Sequence, residues 1–270
     1  MIVLYIALAV ILLIALYVLN LRGRTGHKDM PALRGWYYAH RGLHSSGVPE
    51  NSMAAFRAAK DRGYGIELDI HLMKDGTLAV IHDHSLKRTA GADVQIEDLT
   101  LPQLLEYNLD GTQEKIPLFS DVLKLYNGEA PLIVELKPTT KNHAALCKAA
   151  CDMLAEYKGA YCVESFDPRC VAWLRKNRKE VIRGQLTENF FKSKTRLPGI
   201  VKFLMKYHFF NVATRPDFIA YRFADRKNIS NYLCRKLWGI QGVTWTIRNK
   251  DDFDTAVAEE WIPIFENFEP

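Results

Sequence analysis

Strand-like and helix-like segments alternate along most of this chain, and this alternation most strongly constrains its fold. Eight strands are predicted near residues 36–39, 65–70, 132–137, 160–164, 181–185, 217–221, 241–247 and 262–267. Helical segments are predicted between most of them, at 52–62, 142–157, 168–178 and 250–259. Such alternation predicts an α/β fold, a (β/α)8 barrel of the TIM type with its chemistry at the carboxyl ends of the strands.

A hairpin is predicted to extend the second strand, because Asp75-Gly76 is a strong two-residue turn signal. If that turn closes the hairpin, opposed residues have numbers that sum to about 151, and His82 faces Asp69. Glu67 lies two residues before Asp69 and shares its side of the strand. The hairpin and the following residues would form a small insertion, about 71–130, over the barrel mouth. An exposed hairpin with charged side chains is the alternative interpretation.

Other polar groups follow predicted buried strands. Ala39-His40-Arg41-Gly42 ends the first, and Glu135 and Lys137 lie two residues apart near the end of the third. Buried charges need partners or metal ions, so these strands are hard to explain as inert scaffold.

The ordered set of these motifs resembles the glycerophosphodiester phosphodiesterase family from about residue 36 to the C-terminus. The matching pieces are His40-Arg41-Gly42, Pro49-Glu50-Asn51-Ser52, Glu67-Leu68-Asp69, Lys74-Asp75-Gly76, His82-Asp83 with Leu86 and Arg88-Thr89, Val134-Glu135-Leu136-Lys137, Glu164-Ser165-Phe166 and Val243-Thr244-Trp245-Thr246. The chain departs from the family at its end. Phe265-Glu266-Asn267-Phe268-Glu269-Pro270 stands where an Ile-Thr-Asp-x-Pro-like segment is usual.

The resemblance implies hydrolysis of glycerophosphodiesters to sn-glycerol 3-phosphate and an alcohol. Three carboxylates, Glu67, Asp69 and Glu135, would hold a divalent cation, and an all-oxygen set favours Mg²⁺ or Ca²⁺. An acid–base pair is assigned to His40 and His82, because imidazole titrates near neutral pH. Whether the glycerol 2-hydroxyl attacks first, giving a cyclic phosphate, stays open.

The substrate would be held by four further residues. The phosphate oxygens are assigned to Arg41 and Lys137. The resemblance also places Glu50 in the site, as a ligand or a supporting group, and Trp245 at the wall of the glycerol pocket. Trp245 as plain core is the alternative. Asn51 or Ser52 is predicted to cap the helix 52–62, and Gly63 to end it, so capping is favoured over catalysis for Asn51.

Three other functions are weighed. The first is a lipid-directed phosphodiesterase at the membrane, acting like a lysophospholipase D or as a lyase that forms a cyclic phosphate. The second is an inactive barrel that binds phosphate-bearing membrane components, which the retention of both histidines and all three acids disfavours. The third is a zinc amidohydrolase, suggested by His82-Asp83-His84 and disfavoured by the acidic pair on the second strand.

Residues 1–21 form a predicted transmembrane helix, because residues 2–21 carry no charged side chain and are long enough to cross a bilayer. A cleaved signal peptide fits poorly, since no basic region precedes the apolar run. Residues 22–35 are predicted to be a linker, and residues 36–270 are predicted to form the phosphodiesterase domain. Basic residues follow the helix and none precedes it, which favours a cytoplasmic catalytic domain on a single-pass cell-membrane anchor.

Composition adds limits on partners and compartment. The net charge of +5 permits attraction to phosphates or anionic lipid, but no basic and aromatic pattern indicates nucleic acid. Five cysteines form no metal or disulfide pattern. Residues 190–210 mix basic and large apolar side chains. A helix packed on the barrel with its basic residues facing water is favoured there over a segment lying on the bilayer.

Overall fold

The computed structural model describes residues 1–270 and contains a closed barrel of eight parallel strands. The strands are β1 (Tyr38–His40), β2 (Gly65–Leu72), β4 (Leu132–Leu136), β5 (Tyr161–Ser165), β6 (Arg183–Thr187), β7 (Phe218–Arg222), β8 (Gln241–Ile247) and β9 (Trp261–Phe265), with β3 (Leu78–Val80) antiparallel to β2. Pairing between β1 and β9 closes the barrel. The predicted TIM-type fold is confirmed.

Helices surround the barrel and fill the connections. They are α1 (Ile2–Asn20), α2 (Met53–Asp61), α3 (Lys87–Ala90), α4 (Leu101–Leu104), α5 (Phe119–Tyr126), α6 (His143–Ala155), α7 (Pro168–Asn177), α8 (Gly199–Lys206), α9 (Asn211–Thr214), α10 (Ile229–Tyr232) and α11 (Lys250–Ala258). All four predicted helices are present. Helix α5 lies where the sequence predicted no helix, whereas α8 lies within residues 190–210, where a helix was favoured.

The barrel interior is apolar at its base and ionisable at its mouth, because alternate residues of each strand point inward. Ile133, Cys162, Phe218 and their neighbours form one buried cluster, whereas Glu67, Asp69, Glu135 and Glu164 lie further along the strands. Gly184 leaves room for the Phe218 ring, since a Cβ there would meet the ring at 2.1 Å. The same strand order therefore supplies both a packed base and a polar mouth.

The hairpin on β2 forms as predicted, but its register differs by one residue. Ile70 pairs with Val80 and Leu72 with Leu78, so Asp69 lies opposite Ile81 rather than His82. Strand β3 ends at Val80, and His82 reaches the site through the bend that follows. The predicted facing of Asp69 and His82 is therefore wrong in register.

The insertion has a small hydrophobic core of its own, which includes Ile81, Ile96 and Leu104. Helix α5 does not belong to it: Phe119 and Tyr126 are fully buried in the main cluster between the strands and the outer helices. The structure thus places α5 in the barrel, although the predicted insertion extended to about residue 130.

The N-terminal helix α1 is long and apolar enough to cross a membrane, and none of its residues is buried. The residues after it run beneath the barrel. Arg24 Nε donates to Asp217 Oδ1 at 2.5 Å, and Met30 and Leu33 are buried against the base of the barrel. All five cysteines are free and buried.

Candidate active site

Three carboxylates converge at the mouth of the barrel. Glu67 and Asp69 point inward from β2, and the parallel register sets Asp69 beside Glu135 of β4. One oxygen from each of the three lies within 4.8 Å of the others. All three are buried, with at most 6 % of their surface exposed. The structure therefore brings the three predicted metal ligands together.

Cationic groups and an amide compensate Asp69. Lys137 Nζ lies 3.0 Å from Asp69 Oδ1 and 2.7 Å from Glu135 Oε1, while Arg41 Nε lies 3.3 Å from Asp69 Oδ2. Asn51 Nδ2 donates to Asp69 Oδ2 at 2.9 Å. Burial raises the pKa of Asp69, but Lys137, His82 and Arg41 outweigh it and hold that pKa well below its usual value. In this arrangement Arg41 and Lys137 contact carboxylates directly.

Of the two predicted caps, Ser52 occupies the cap position, so the capping role favoured for Asn51 is wrong. Ser52 Oγ accepts from Ala55 N at 3.1 Å and begins α2. Asn51 has a φ of 52°, a left-handed conformation that Asn tolerates better than most residues, and this turns its amide toward Asp69. Gly63 follows the helix with a φ of 73°, as predicted.

The other two carboxylates of the cluster resist ionisation. Burial, together with Asp69 and Glu135, raises the pKa of Glu67 well above its usual value. Burial raises the pKa of Glu135 to about 7, against the opposing effect of Lys137. Glu164 of β5 lies beside Glu135 in the register, its pKa is raised well above normal by burial, and its Oε2 has no hydrogen-bond partner.

This donor set fits a hard divalent cation. All three candidate ligands are carboxylates, and none is a thiol. Mg²⁺ and Ca²⁺ prefer such oxygen ligands. Asn51 Oδ1 and Glu164 Oε2 are further buried oxygens without a partner. A cation would favour the ionised forms that burial now opposes.

His40 is held by Glu266, a residue to which the sequence analysis gave no role. Its Nδ1 lies 2.5 Å from Glu266 Oε2, and its Nε2 lies 3.8 Å from Glu67 Oε2. Glu266 in turn accepts from Arg248 Nε at 2.6 Å. Burial lowers the pKa of His40 to about 4, although Glu266 opposes that effect. The C-terminal segment that differs from the family pattern therefore contributes directly to the site.

His82 is oriented by a chain of charged groups on the insertion. Its Nδ1 lies 2.6 Å from Asp83 Oδ1, and Arg88 Nε donates to Asp83 Oδ2 at 2.7 Å. Arg88 also donates to Glu50 Oε1 at 2.7 Å, and Glu50 Oε1 accepts from Arg41 Nη1 at 2.8 Å. Glu50 thus bridges two arginines and is not a member of the carboxylate cluster. Burial lowers the pKa of His82, and Asp69 opposes that shift.

A small pocket opens above the carboxylates, with an aromatic wall on one side. Trp245 and Phe166 meet edge-to-face with ring centroids 5.6 Å apart. Trp245 is partly buried and lines the pocket, and its buried indole Nε1 has no hydrogen-bond partner. The pocket is lined by His40, Arg41, Glu67, His82, Glu135, Glu164, Phe166, Leu186, Trp245 and Ile264.

Comparison with known proteins agrees with this geometry. The profile of the glycerophosphoryl diester phosphodiesterase family matches residues 40–268, nearly the whole barrel. The chain belongs to this family. Family membership confirms the resemblance noted in the sequence.

Individual relatives align over part of their length. A glycerophosphodiester phosphodiesterase from Caldanaerobacter subterraneus is 38% identical over 107 residues, which cover 37% of this chain and 44% of the relative. Lysophospholipase D GDPD1 from Rattus norvegicus is 31% identical over 135 residues, covering 45% of this chain and 41% of the relative. The aligned segment thus spans less than half the length of these curated relatives.

Solved structures share the fold. A phosphodiesterase from Oleispira antarctica, in complex with the product sn-glycerol-3-phosphate, superposes with a TM-score of 0.70 at 19% identity and covers 86% of this chain and 92% of that chain. A putative glycerophosphoryl diester phosphodiesterase from Silicibacter pomeroyi gives 0.71 at 20% identity and covers 90% and 95%.

Proposed function

We propose that this chain hydrolyses glycerophosphodiesters to sn-glycerol 3-phosphate and an alcohol. The observation that carries the proposal is the convergence of three buried carboxylates and two imidazoles around one pocket in a family barrel. Glu67, Asp69 and Glu135 would hold Mg²⁺ or Ca²⁺. When bound, the cation neutralises charge on the phosphodiester.

His40 is assigned as the general base. With its Nδ1–H donated to Glu266, its Nε2 carries no proton and faces the carboxylate side of the pocket. A pKa of about 4 keeps this imidazole neutral near pH 7, as a proton acceptor must be. His40 would take the proton of the attacking oxygen.

His82 is assigned as the general acid. Asp83 accepts from its Nδ1, and both Asp83 and Asp69 favour the protonated ring against the burial that lowers the pKa of His82. The protonated Nε2 would deliver its proton to the departing alcohol oxygen. Arg41 and Lys137 would bind the non-bridging phosphate oxygens, and Trp245 would contact the glycerol moiety.

The test is turnover of glycerophosphocholine by the full-length protein in detergent, with Mg²⁺ or Ca²⁺ and with chelator. His40→Ala and His82→Ala should each lower kcat by about 10²–10⁴-fold, the usual contribution of a general acid or base. Glu67→Ala should lower activity and raise the metal concentration needed. His27→Ala, in the segment beneath the barrel, is the control. Near-normal turnover by the His82 variant, or full activity in chelator, would refute these assignments.

A lipid-directed activity is the second candidate. Relatives named lysophospholipase D align with this chain, and α1 would place the barrel beside lipid substrates. Turnover of lysophosphatidylcholine should be compared with that of glycerophosphocholine. Phosphorus NMR of the products distinguishes hydrolysis to lysophosphatidic acid and choline from formation of a cyclic phosphate.

We also infer that α1 spans the cell membrane once, with the barrel on the cytoplasmic side. Its length, apolar composition and exposure support the span, and the basic residues that follow it support the orientation. In intact cells the barrel should be protected from added protease. Permeabilising the cells should remove that protection.

A further inference from the structure

Exposed apolar side chains are concentrated on one part of the barrel surface. Beyond residues 1–20, eleven large hydrophobic residues are exposed, and eight of them lie within residues 191–237. Six of these form what we call the collar: Ile200, Phe203, Val212, Ile229, Tyr232 and Leu237, each between 43 % and 65 % exposed. Scattered single hydrophobic residues are ordinary, but such a concentration marks an interaction surface.

Collar residues lie near the point where α1 meets the barrel. Phe203 stacks on Phe209, whose ring centroid lies 4.8 Å from that of Tyr17. The Tyr17 hydroxyl is 2.7 Å from Ser230 Oγ, in the same short helix as Ile229 and Tyr232.

Two further contacts link the end of α1 to this region. Val212 N donates to Asn20 Oδ1 at 3.2 Å. Trp238 Nε1, next to Leu237, donates to the Val18 carbonyl at 2.8 Å. The collar is therefore continuous with the end of the apolar helix.

The same region carries the positive charge of the protein. Residues 190–238 contain eleven Lys and Arg but only two acidic residues, Asp217 and Asp225, whereas the whole chain has a net charge of +5. Both acids are already paired, Asp217 with Arg24 and Asp225 with Lys192. The remainder of the chain is net negative, so the charge is segregated to this side.

Helix α8 shows the pattern of an interfacial segment. It buries only Met205, exposes Ile200 and Phe203, and leaves Lys202 and Lys206 partly covered. Two of its apolar side chains, Ile200 and Phe203, thus face outward, whereas the packed helix that the sequence favoured would turn mainly its basic residues to water. Apolar side chains flanked by Lys and Arg are the composition of helices that lie in the headgroup region.

We propose that the collar lies on an anionic phospholipid bilayer, so that the barrel is held against the membrane by its own surface as well as by α1. The proposal rests on α1 spanning that bilayer. Membrane electrostatics and apolar insertion act together here, since each basic residue near an anionic leaflet adds to the attraction that the collar's apolar area provides.

The test uses single cysteines labelled with an environment-sensitive fluorophore in the full-length protein, reconstituted in nanodiscs of phosphatidylglycerol and phosphatidylcholine. The five native cysteines are buried, which favours selective labelling. Phe203→Cys and Ile229→Cys report on the collar. Leu105→Cys, on the insertion and 53 % exposed, is the matched control. Leu8→Cys reports on the span of α1.

Brominated lipid should quench the labels at 203, 229 and 8 at least twofold more than the label at 105, and aqueous iodide should do the reverse. Replacing phosphatidylglycerol with phosphatidylcholine should weaken quenching at 203 and 229 while leaving that at 8 unchanged. Quenching at 8 but not at 203 or 229 would overturn the collar and keep the spanning helix. No lipid quenching at 8 would instead refute the membrane span.

Protection of 203 and 229 from both quenchers, with a dimer in cross-linking, would assign the collar to a second copy of the chain and overturn the proposal. Loss of glycerophosphodiester turnover has no bearing on these readouts, so failure of the collar and failure of the proposed enzyme function are distinguishable.

Discussion

Replacing Glu266 with Gln should slow turnover while leaving the fold intact. Glu266 Oε2 accepts from His40 Nδ1 at 2.5 Å, and Gln can keep that hydrogen bond without the charge. A hydrogen bond to a charged group contributes about 1.5–3 kcal/mol, against about 0.5–1.5 kcal/mol for a neutral one. If the imidazolium forms in the transition state, the loss of about 1–2 kcal/mol corresponds to a decrease in kcat of roughly 5–30-fold.

The pH profile gives a second readout for the same variant. Glu266 raises the pKa of His40 against the lowering effect of burial, which together leave it at about 4. Without the carboxylate charge that pKa falls further, so His40 stays unprotonated to lower pH. The acid limb of kcat that belongs to His40 should therefore move to lower pH in Glu266→Gln.

The assay is glycerophosphocholine turnover from pH 4 to 9 at saturating metal, with thermal melting to verify folding. Glu269→Gln is the matched control, because Glu269 lies in the same tail and pairs with Arg62 away from His40. A Glu266→Gln enzyme within twofold of the parent at every pH would refute the positioning role. So would an equal loss in the Glu269 variant.

Three other changes test the pocket, the core and a buried histidine. Trp245→Ala should raise KM for glycerophosphocholine about tenfold with a smaller change in kcat, since it removes a pocket wall rather than an acid or base. Phe119→Ala, fully buried in the main cluster, should destabilise the protein by about 3–5 kcal/mol in chemical denaturation, whereas an insertion role for α5 would leave the barrel transition unchanged. Burial lowers the pKa of His208 to about 4, so stability should fall by up to about 1.4 kcal/mol per pH unit between pH 6.5 and 4 as the unfolded state binds the proton. His208→Asn should flatten that pH dependence, and an unchanged slope would refute the burial of a neutral ring.

The barrel could be predicted because its signals are local and repeated. Strand-forming runs of four to seven residues, separated by helical patterns, fixed all eight parallel strands within a few residues. Helix α5 was missed because its apolar residues Phe119, Val122 and Leu123 follow a hairpin and several short turns. These irregular segments obscure the point at which the chain returns from the insertion to the barrel. The hairpin register was misjudged by one, since β3 ends before His82.

The site was predictable where strand parity decides geometry and unpredictable where loops do. Glu67, Asp69 and Glu135 converge because alternate residues of neighbouring parallel strands share a side. Glu266 and Asn51 act from the ends of β9 and the turn before α2, where side-chain direction depends on backbone conformation. The φ of 52° at Asn51 leaves no sequence signal beyond the tolerance of Asn for that region. In the sequence, Glu266 stood out only because its segment differs from the family pattern, and that difference did not predict its contact with His40.

One segment joins the pocket wall to α8, which carries the collar residues Ile200 and Phe203. Phe190 packs on Phe166, which also meets Trp245 in the pocket, while the next residue, Phe191, is 56 % exposed and lies under the Lys206 ammonium. A change in the position of α8 on a bilayer would therefore be transmitted to the aromatic wall of the pocket through Phe191 and Phe190. Because the proposed collar and the proposed glycerol pocket share this short connection, contact with the membrane and access to the pocket are expected to be coupled.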